Sequence, residues 1–177
     1  MSDYLITTER IGLRNWREDD LADISALNRD PEVMRFFPAL QNTETTLAFI
    51  HRMQKHFEDY GYCYFAADLR HTGEFIGFIG LCRQDYLPEL GTFTDIGWRL
   101  KQQVWGKGLA TEGAKACLTF AYENAGLDEV YAVCPAVNLP SEKVMQKIGM
   151  TKVRHFNHPA LRTAPALEEC MLYLKKR

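Results

Sequence analysis

Between one segment that reads as a strand and another that reads as a helix lies Gln103-Val104-Trp105-Gly106-Lys107-Gly108-Leu109-Ala110. Its two glycines let the backbone turn sharply and approach a ligand closely. The helix that starts after them presents N–H groups with no intrahelical partner, at the positive end of its dipole. Together these features make an anion site suited to a pyrophosphate. The spacing separates it from two common phosphate loops. A Walker loop needs G-x-x-x-x-G-K-S/T, which is absent. A dinucleotide fingerprint needs G-x-G-x-x-G or A, and here Gly106-Lys107-Gly108 leads to Thr111. Nucleotide hydrolysis and hydride transfer are therefore poorly supported.

The surrounding elements alternate in type, which points to a mixed α/β fold. Ile11 to Arg14 reads as a first strand. A helix runs to Asn28, with Asp19-Asp20 as its cap, and Asp30-Pro31 stops it. A second helix starts at Asn42-Thr43 and carries Phe49, Ile50, Met53 and Phe57 at helical spacing up to Gly61. Tyr62 to Ala67 and Phe75 to Leu81 read as a hairpin, and Thr92 to Leu100 as a further strand. Gly108 to Asn124 is a helix whose buried face would be the small set Ala110, Ala114, Cys117, Leu118 and Ala121, with Gly126 as its C-cap. Glu129 to Cys134 is a strand, Pro140 to Ile148 a short helix, and Thr151 to Phe156 and Glu169 to Leu174 the last strands. Several consecutive strands predict a partly antiparallel sheet, while Thr92 to Cys134 needs a crossover and predicts a parallel pair.

The 177 residues fit one domain spanning the chain, and 46% hydrophobic with 25% charged residues is ordinary for a globular protein. A net charge of -2 implies no general affinity for nucleic acid. The five cysteines form no C-x-x-C pair, which argues against a disulfide framework or a zinc site and for a reducing compartment. Met1 to Arg10 lacks an apolar signal core, and no apolar run is long enough to span a membrane. A cytoplasmic location follows as the expectation.

Q-x-x-G-x-G followed by a small-residue helix resembles the pyrophosphate loop of the GNAT N-acetyltransferase superfamily. Asp95-Ile96-Gly97-Trp98-Arg99-Leu100 is similar to the strand before that loop. Asn138-Leu139-Pro140-Ser141 with Val144-Met145-Gln146-Lys147-Ile148-Gly149-Met150 is similar to the family's later N-x-x-S…K-x-G motif. Asp30 to Phe36 and His158-Pro159 also occur in many members. The branch it resembles contains the ribosomal-protein N-terminal (alanine/serine) acetyltransferases, and the resemblance covers nearly the whole chain. It implies a mixed, partly antiparallel sheet flanked by helices, with a splayed strand pair forming an acyl-CoA cleft. It further implies acetyl-CoA as co-substrate, no metal, and a monomer or homodimer.

On that resemblance the backbone of Trp98, Arg99 and Leu100 faces the pantetheine arm, one of its N–H groups aimed at the thioester oxygen. Gln103, Val104, Trp105, Gly106, Lys107, Gly108, Leu109 and Ala110 hold the pyrophosphate. Asn138 bonds the pantetheine amides, and Lys143, like Arg99 and Lys107, is a candidate for the CoA phosphates. Asp95 is the candidate base for the amine proton, where many relatives carry a glutamate; the other reading is an ordinary strand acid. Ser141 is the candidate proton donor to the thiolate, since Met145 stands where some branches have a tyrosine; the other reading is a helix cap. An α-amino group with pKa near 7.7–8.0 is about a tenth neutral at pH 7, so positioning can supply much of the catalysis.

Three alternatives follow. The acceptor is a protein N-terminus or a small amine such as an amino acid, polyamine or drug. A non-catalytic acyl-CoA-binding module and a nucleotide-binding regulator use the same loop. The acceptor side is expected between Met34 and Tyr60 and the loop Arg83 to Thr92, with Asp85 and Glu89 as an acidic rim and His155 and His158 nearby. His51 and His56 stand five residues apart and share no helix face. No base adjoins Cys134, which disfavours a cysteine nucleophile.

Overall fold

A computed structural model describes residues 3–177; Met1 and Ser2, the start of the segment read above as lacking a signal core, lie outside the described residues. The elements run β1 (Ile6–Thr7), β2 (Ile11–Arg14), α1 (Leu21–Arg29), α2 (Thr43–Tyr60), β3 (Tyr64–Leu69), β4 (Phe75–Gln84), β5 (Phe93–Leu100), α3 (Leu109–Glu123), β6 (Glu129–Pro135), α4 (Leu139–Lys147), β7 (Thr151–Asn157), α5 (Pro165–Glu168) and β8 (Glu169–Lys176). Among the described residues the strands form one 8-stranded sheet in the order β1-β2-β3-β4-β5-β6-β8-β7. Every neighbouring pair is antiparallel except β5 and β6, which are parallel across the α3 crossover. This is the mixed, helix-flanked sheet that the resemblance implied.

The pairing of β5 decides where a site can form. On one side it is matched to β4 without interruption, from Gln84↔Phe93 to Gly77↔Leu100. On the other side it meets β6 at a single register point, Asp95↔Tyr131. Beyond that point β5 stays with β4, while β6 follows β8 along its whole length, from Glu129↔Lys176 to Pro135↔Cys170. Two well-paired half-sheets therefore diverge from Asp95 onward and leave a wedge between Ile96–Leu100 and Ala132–Pro135.

The direction of the β5 amides follows from the ladder. Lys101 donates its N–H to Ile76 of β4 at 2.8 Å. Amides alternate edges along a strand, so those of Leu100 and Trp98 face away from β4 into the wedge.

Adjacent β4 residues also separate the faces. Phe78 carries Phe49 of α2, ring centroids 5.4 Å apart. Ile79, on the opposite face, carries α3: a Cβ on Gly113 would lie 2.4 Å from Ile79 Cδ1. Leu109, Gly113, Ala114, Cys117, Leu118 and Ala121 are the buried residues of α3. The expected face is thus correct except for half-buried Ala110, and the small residues are what let α3 lie so close to the sheet.

The helix signals have mixed outcomes. Asn42 caps α2 by accepting from Thr45 N–H, and Gly61 ends it in the left-handed conformation at φ 76°. Asp20 stands at the start of α1 but makes no side-chain cap. Its carboxylate is taken instead by the Arg14 guanidinium at 2.8 Å and the Arg17 N–H. Arg14 also pairs with Asp68 at 2.7 Å, and all three side chains are buried. Two carboxylates around one buried guanidinium outweigh a local cap, because leaving that charge unpaired costs about 3–5 kcal/mol. Gly126 is not itself the C-cap of α3, which is Asn124, but carries the left-handed turn just beyond it at φ 65°. The strand β1 and the short helix α5 had no signal strong enough to read in the sequence.

Candidate active site

One cavity of about 680 Å³ passes through the wedge and opens toward both faces of the sheet. On the α3 side it is lined by Val104 to Gly106, Gly108 to Thr111, and Asn138, Ser141 and Lys143 at the start of α4. Trp98, Leu100, Val133 and Cys134 form its throat. On the α2 side it is lined by Arg35, Phe37, Phe49, Arg52, Tyr64, Phe78, Asp95 and Arg99. Gln103 and Lys107 lie outside this lining, both exposed on the loop.

The loop is built for a close approach to the helix start. Gly106 and Gly108 sit at φ 72° and 78°, a region that glycine enters at no steric cost. Gly108 is the N-cap of α3 and offers no side chain to its first amides. A residue absent from the sequence reading holds the loop in place. Arg10 donates to the Lys107 carbonyl at 2.9 Å and to Glu112 Oε2 at 2.6 Å. Thr8 Oγ1 and the Arg10 N–H donate to the other Glu112 oxygen. Burial works against the Glu112 charge, but these donors hold its carboxyl below the usual range. Arg10→Ala is expected to weaken acetyl-CoA binding about 2- to 5-fold, since the pair is half exposed and screened; calorimetric titration of both proteins checks this.

Asn138 caps α4, accepting the Ser141 N–H at 3.2 Å. The cap is therefore Asn138, and Ser141 stands half-buried in the first turn, facing the cavity. Trp105 donates its indole N–H to the Leu100 carbonyl at 2.8 Å, so it ties the loop back to the end of β5.

At the mouth of the wedge Asp95 is buried, 7% exposed. Tyr64 Oη donates to Asp95 Oδ1 at 2.5 Å, and Gln84 Nε2 donates to the same oxygen at 3.3 Å. Both donors converge on Oδ1, which leaves Oδ2 for another partner. Burial pushes the Asp95 carboxyl up to about 6, and the two donors pull it back only in part. Tyr64 is pushed well above its ordinary value by burial and by Asp95, so it remains a neutral donor. Neither Tyr64 nor Gln84 carried a sequence signal, because their meeting with Asp95 depends on the β3–β4–β5 register. Cys134 is buried and its thiol is pushed up to about 12 by that burial, which suits a packing role.

The segments expected on the acceptor side reach the cavity only in part. Residues from Arg35 to Arg52 line the cavity, but none from Arg83 to Thr92 does. Phe57 packs on Phe65, and Glu89 pairs with Arg154 across the sheet end. His155 faces Glu169 at 3.2 Å, while His158 stacks on Tyr86 and accepts the Ala160 N–H. His56 bridges the Tyr62 carbonyl and the Arg83 N–H, a structural role.

Comparison with known proteins accords with this geometry. YkkB of Bacillus subtilis (strain 168) is 31% identical over 158 residues, covering 87% of this chain and 91% of that protein. The structure of an acetyltransferase from Agrobacterium tumefaciens is 25% identical with a TM-score of 0.81, covering 100% of this chain and 96% of that one. RimL, a ribosomal L7/L12 α-N-protein acetyltransferase in complex with coenzyme A, shares the fold at 13% identity with a TM-score of 0.79, covering 98% and 97%. The family model described as an acetyltransferase (GNAT) domain matches residues 10–151. The chain belongs to the GNAT acetyltransferase family.

Proposed function

We propose that the protein transfers the acetyl group of acetyl-CoA to a primary amine by direct attack in a ternary complex. The carrying observation is the divergence of β5 and β6 at Asp95, which brings the uncapped start of α3 and the buried carboxylate to one continuous cavity. The free amides of α3 and the positive-φ glycines suit the CoA pyrophosphate. The wedge-facing amides of Trp98 and Leu100 suit the pantetheine arm and the thioester oxygen. The coenzyme A held by RimL supports the same donor here.

The chemistry then distributes over this chain's residues. The amine lone pair forms a bond to the thioester carbonyl carbon, and the negative charge gathers on oxygen against a β5 amide. The amine proton passes to Asp95 Oδ2, the oxygen that Tyr64 and Gln84 leave open. The C–S bond breaks, and the CoA thiolate takes a proton from Ser141 or from water. A hydroxyl is a weak acid, so Ser141 contributes mainly a hydrogen bond. Ser141→Ala is expected to lower kcat no more than about tenfold, consistent with loss of one hydrogen bond of about 1 kcal/mol; steady-state kinetics checks it.

Two findings test the proposal as a whole. Incubation with acetyl-CoA and a mixture of primary amines and peptides should yield free CoA thiol and an acetylated amine by mass spectrometry, in equal amounts. Stabilisation by acetyl-CoA without any acetylated product would favour the binding-module reading.

A further inference from the structure

Arg99 presents a cation that no carboxylate among the described residues pairs with. Its place in β5 puts its side chain beside Phe78, on the face away from α3 and the phosphate loop. The guanidinium lies over the Phe37 ring at 4.0 Å and the Phe78 ring at 5.3 Å. One terminal nitrogen donates to Asn28 Oδ1 at 2.6 Å. Nε is fully enclosed and meets no acceptor, and among the described residues no carboxylate lies within salt-bridge distance. Burial without a counter-charge lowers the Arg99 pKa to about 10. A half-buried guanidinium whose enclosed Nε is unpaired, held by two rings and a neutral amide, is costly unless something anionic reaches it.

The acids in this half of the cavity are already engaged. Arg35 and Arg52 line this half of the cavity, and the acids there are Glu32 and Asp95. Glu32 is engaged by Arg35 at 3.2 Å. Asp95 and Arg99 stand on the same face of β5, four residues apart, or about 13 Å along the strand. The Tyr64 ring lies over Gly97 between them, and the cavity that all three line runs past that ring. CoA does not account for the cation, because the start of α3 lies against the opposite face.

We propose that Arg99 recognises a carboxylate on the acceptor, and that the acceptor is a small amino acid-like molecule whose amine lies at Asp95 while its carboxylate lies at Arg99. A planar guanidinium suits a carboxylate, which accepts two parallel N–H bonds. The proposal rests on the acetyl-transfer reading above and narrows its acceptor class.

The test uses the full-length protein, acetyl-CoA, the common L-amino acids, β-alanine and 4-aminobutanoate, each beside its carboxamide, with two peptides bearing acidic N-terminal residues. At least one free acid should be acetylated with kcat/KM 10-fold or more above its amide, compared at equal concentrations of neutral amine. In Arg99→Gln the KM for that acid should rise about 10- to 100-fold, with kcat changed little and the amide unaffected. Arg99→Lys should recover part of the loss. Acids and amides used equally, acetylation confined to peptides, or no member of the set acetylated would each overturn it. If Arg99→Gln does not fold, the acid-to-amide ratio of the unaltered protein decides alone. Failure of the underlying reading is distinguishable, because then neither acids, amides nor peptides would release CoA thiol, whereas failure of this inference alone leaves amides or peptides acetylated.

Discussion

Asp95→Asn should lower kcat/KM for the amine about 10²- to 10⁴-fold, the range expected for loss of a general base, while leaving stabilisation by acetyl-CoA unchanged. The carboxamide keeps the size of the side chain and an acceptor oxygen for Tyr64, so the register of β3, β4 and β5 should survive. The pH profile separates loss of a base from loss of shape. Asp95 works as a base only when ionised, and burial pushes its carboxyl up to about 6. Below pH 6 both Asp95 and the amine must lose a proton, so log kcat/KM should climb with a slope near two. Between about 6 and the pKa of the amine, only the amine remains to be deprotonated and the slope should fall to one. In Asp95→Asn a slope of one should hold throughout. Stability follows the opposite sense. The folded-state pKa lies above the ordinary aspartate value near 3.9, so the native state binds more protons and stability falls as pH rises from about 4 to about 6. The neutral variant avoids that cost, and its melting temperature at pH 7 should be no lower than that of the unaltered protein. A lower melting temperature together with an unchanged pH break would assign Asp95 to structure alone.

The second large effect is on the fold. Gly77 has φ 134°, and a Cβ there would lie 2.1 Å from the Arg99 carbonyl oxygen. Two costs coincide: a backbone conformation that other residues reach only at about 1–3 kcal/mol, and a clash against backbone that no side-chain rotation relieves, about 1–3 kcal/mol more. Gly77→Ala is therefore expected to lose about 3–5 kcal/mol in denaturant unfolding. For a domain of this size that is a fall of about 10 °C or more. The strand that must yield is β5 at Arg99 and Leu100, so acetyl-CoA binding should weaken along with stability. Gly73→Ala is the control. That turn residue has φ 73° but nothing within 4 Å of an added Cβ, so it should show the backbone cost without the clash, and no effect on binding beyond it.

What the sequence disclosed and what it concealed differ in physical kind. The loop and its helix were legible because their function resides in the backbone: Gly106 and Gly108 are needed for positive φ, and the next residues need only be small. Asn42 and Gly61 were legible for the same local reason. Asp20 misled because its carboxylate serves Arg14, six residues back, and that pairing is completed by Asp68 from β3. The partners of Asp95 were hidden because Tyr64 and Gln84 come from β3 and β4, brought together only by sheet register. Arg10 was hidden likewise, since its contact with Glu112 spans 102 positions. Arg99 was seen in the sequence as a cation, but its face of β5 could not be assigned without knowing that Phe78 lies beside it. Local backbone chemistry is thus readable along the chain, whereas side-chain constellations that close across strands are not.

The most direct test is thermal unfolding with saturating acetyl-CoA, beside ATP and NAD at the same concentration. At a hundred times the dissociation constant a ligand adds about 2.7 kcal/mol, or roughly 5–10 °C for a domain of this size. A rise of that order with acetyl-CoA and none with ATP or NAD is the expected result. No rise with acetyl-CoA, or an equal rise with ATP or NAD, would contradict an acetyl-CoA site in the wedge and leave the loop as a turn before a helix or a site for nucleotides.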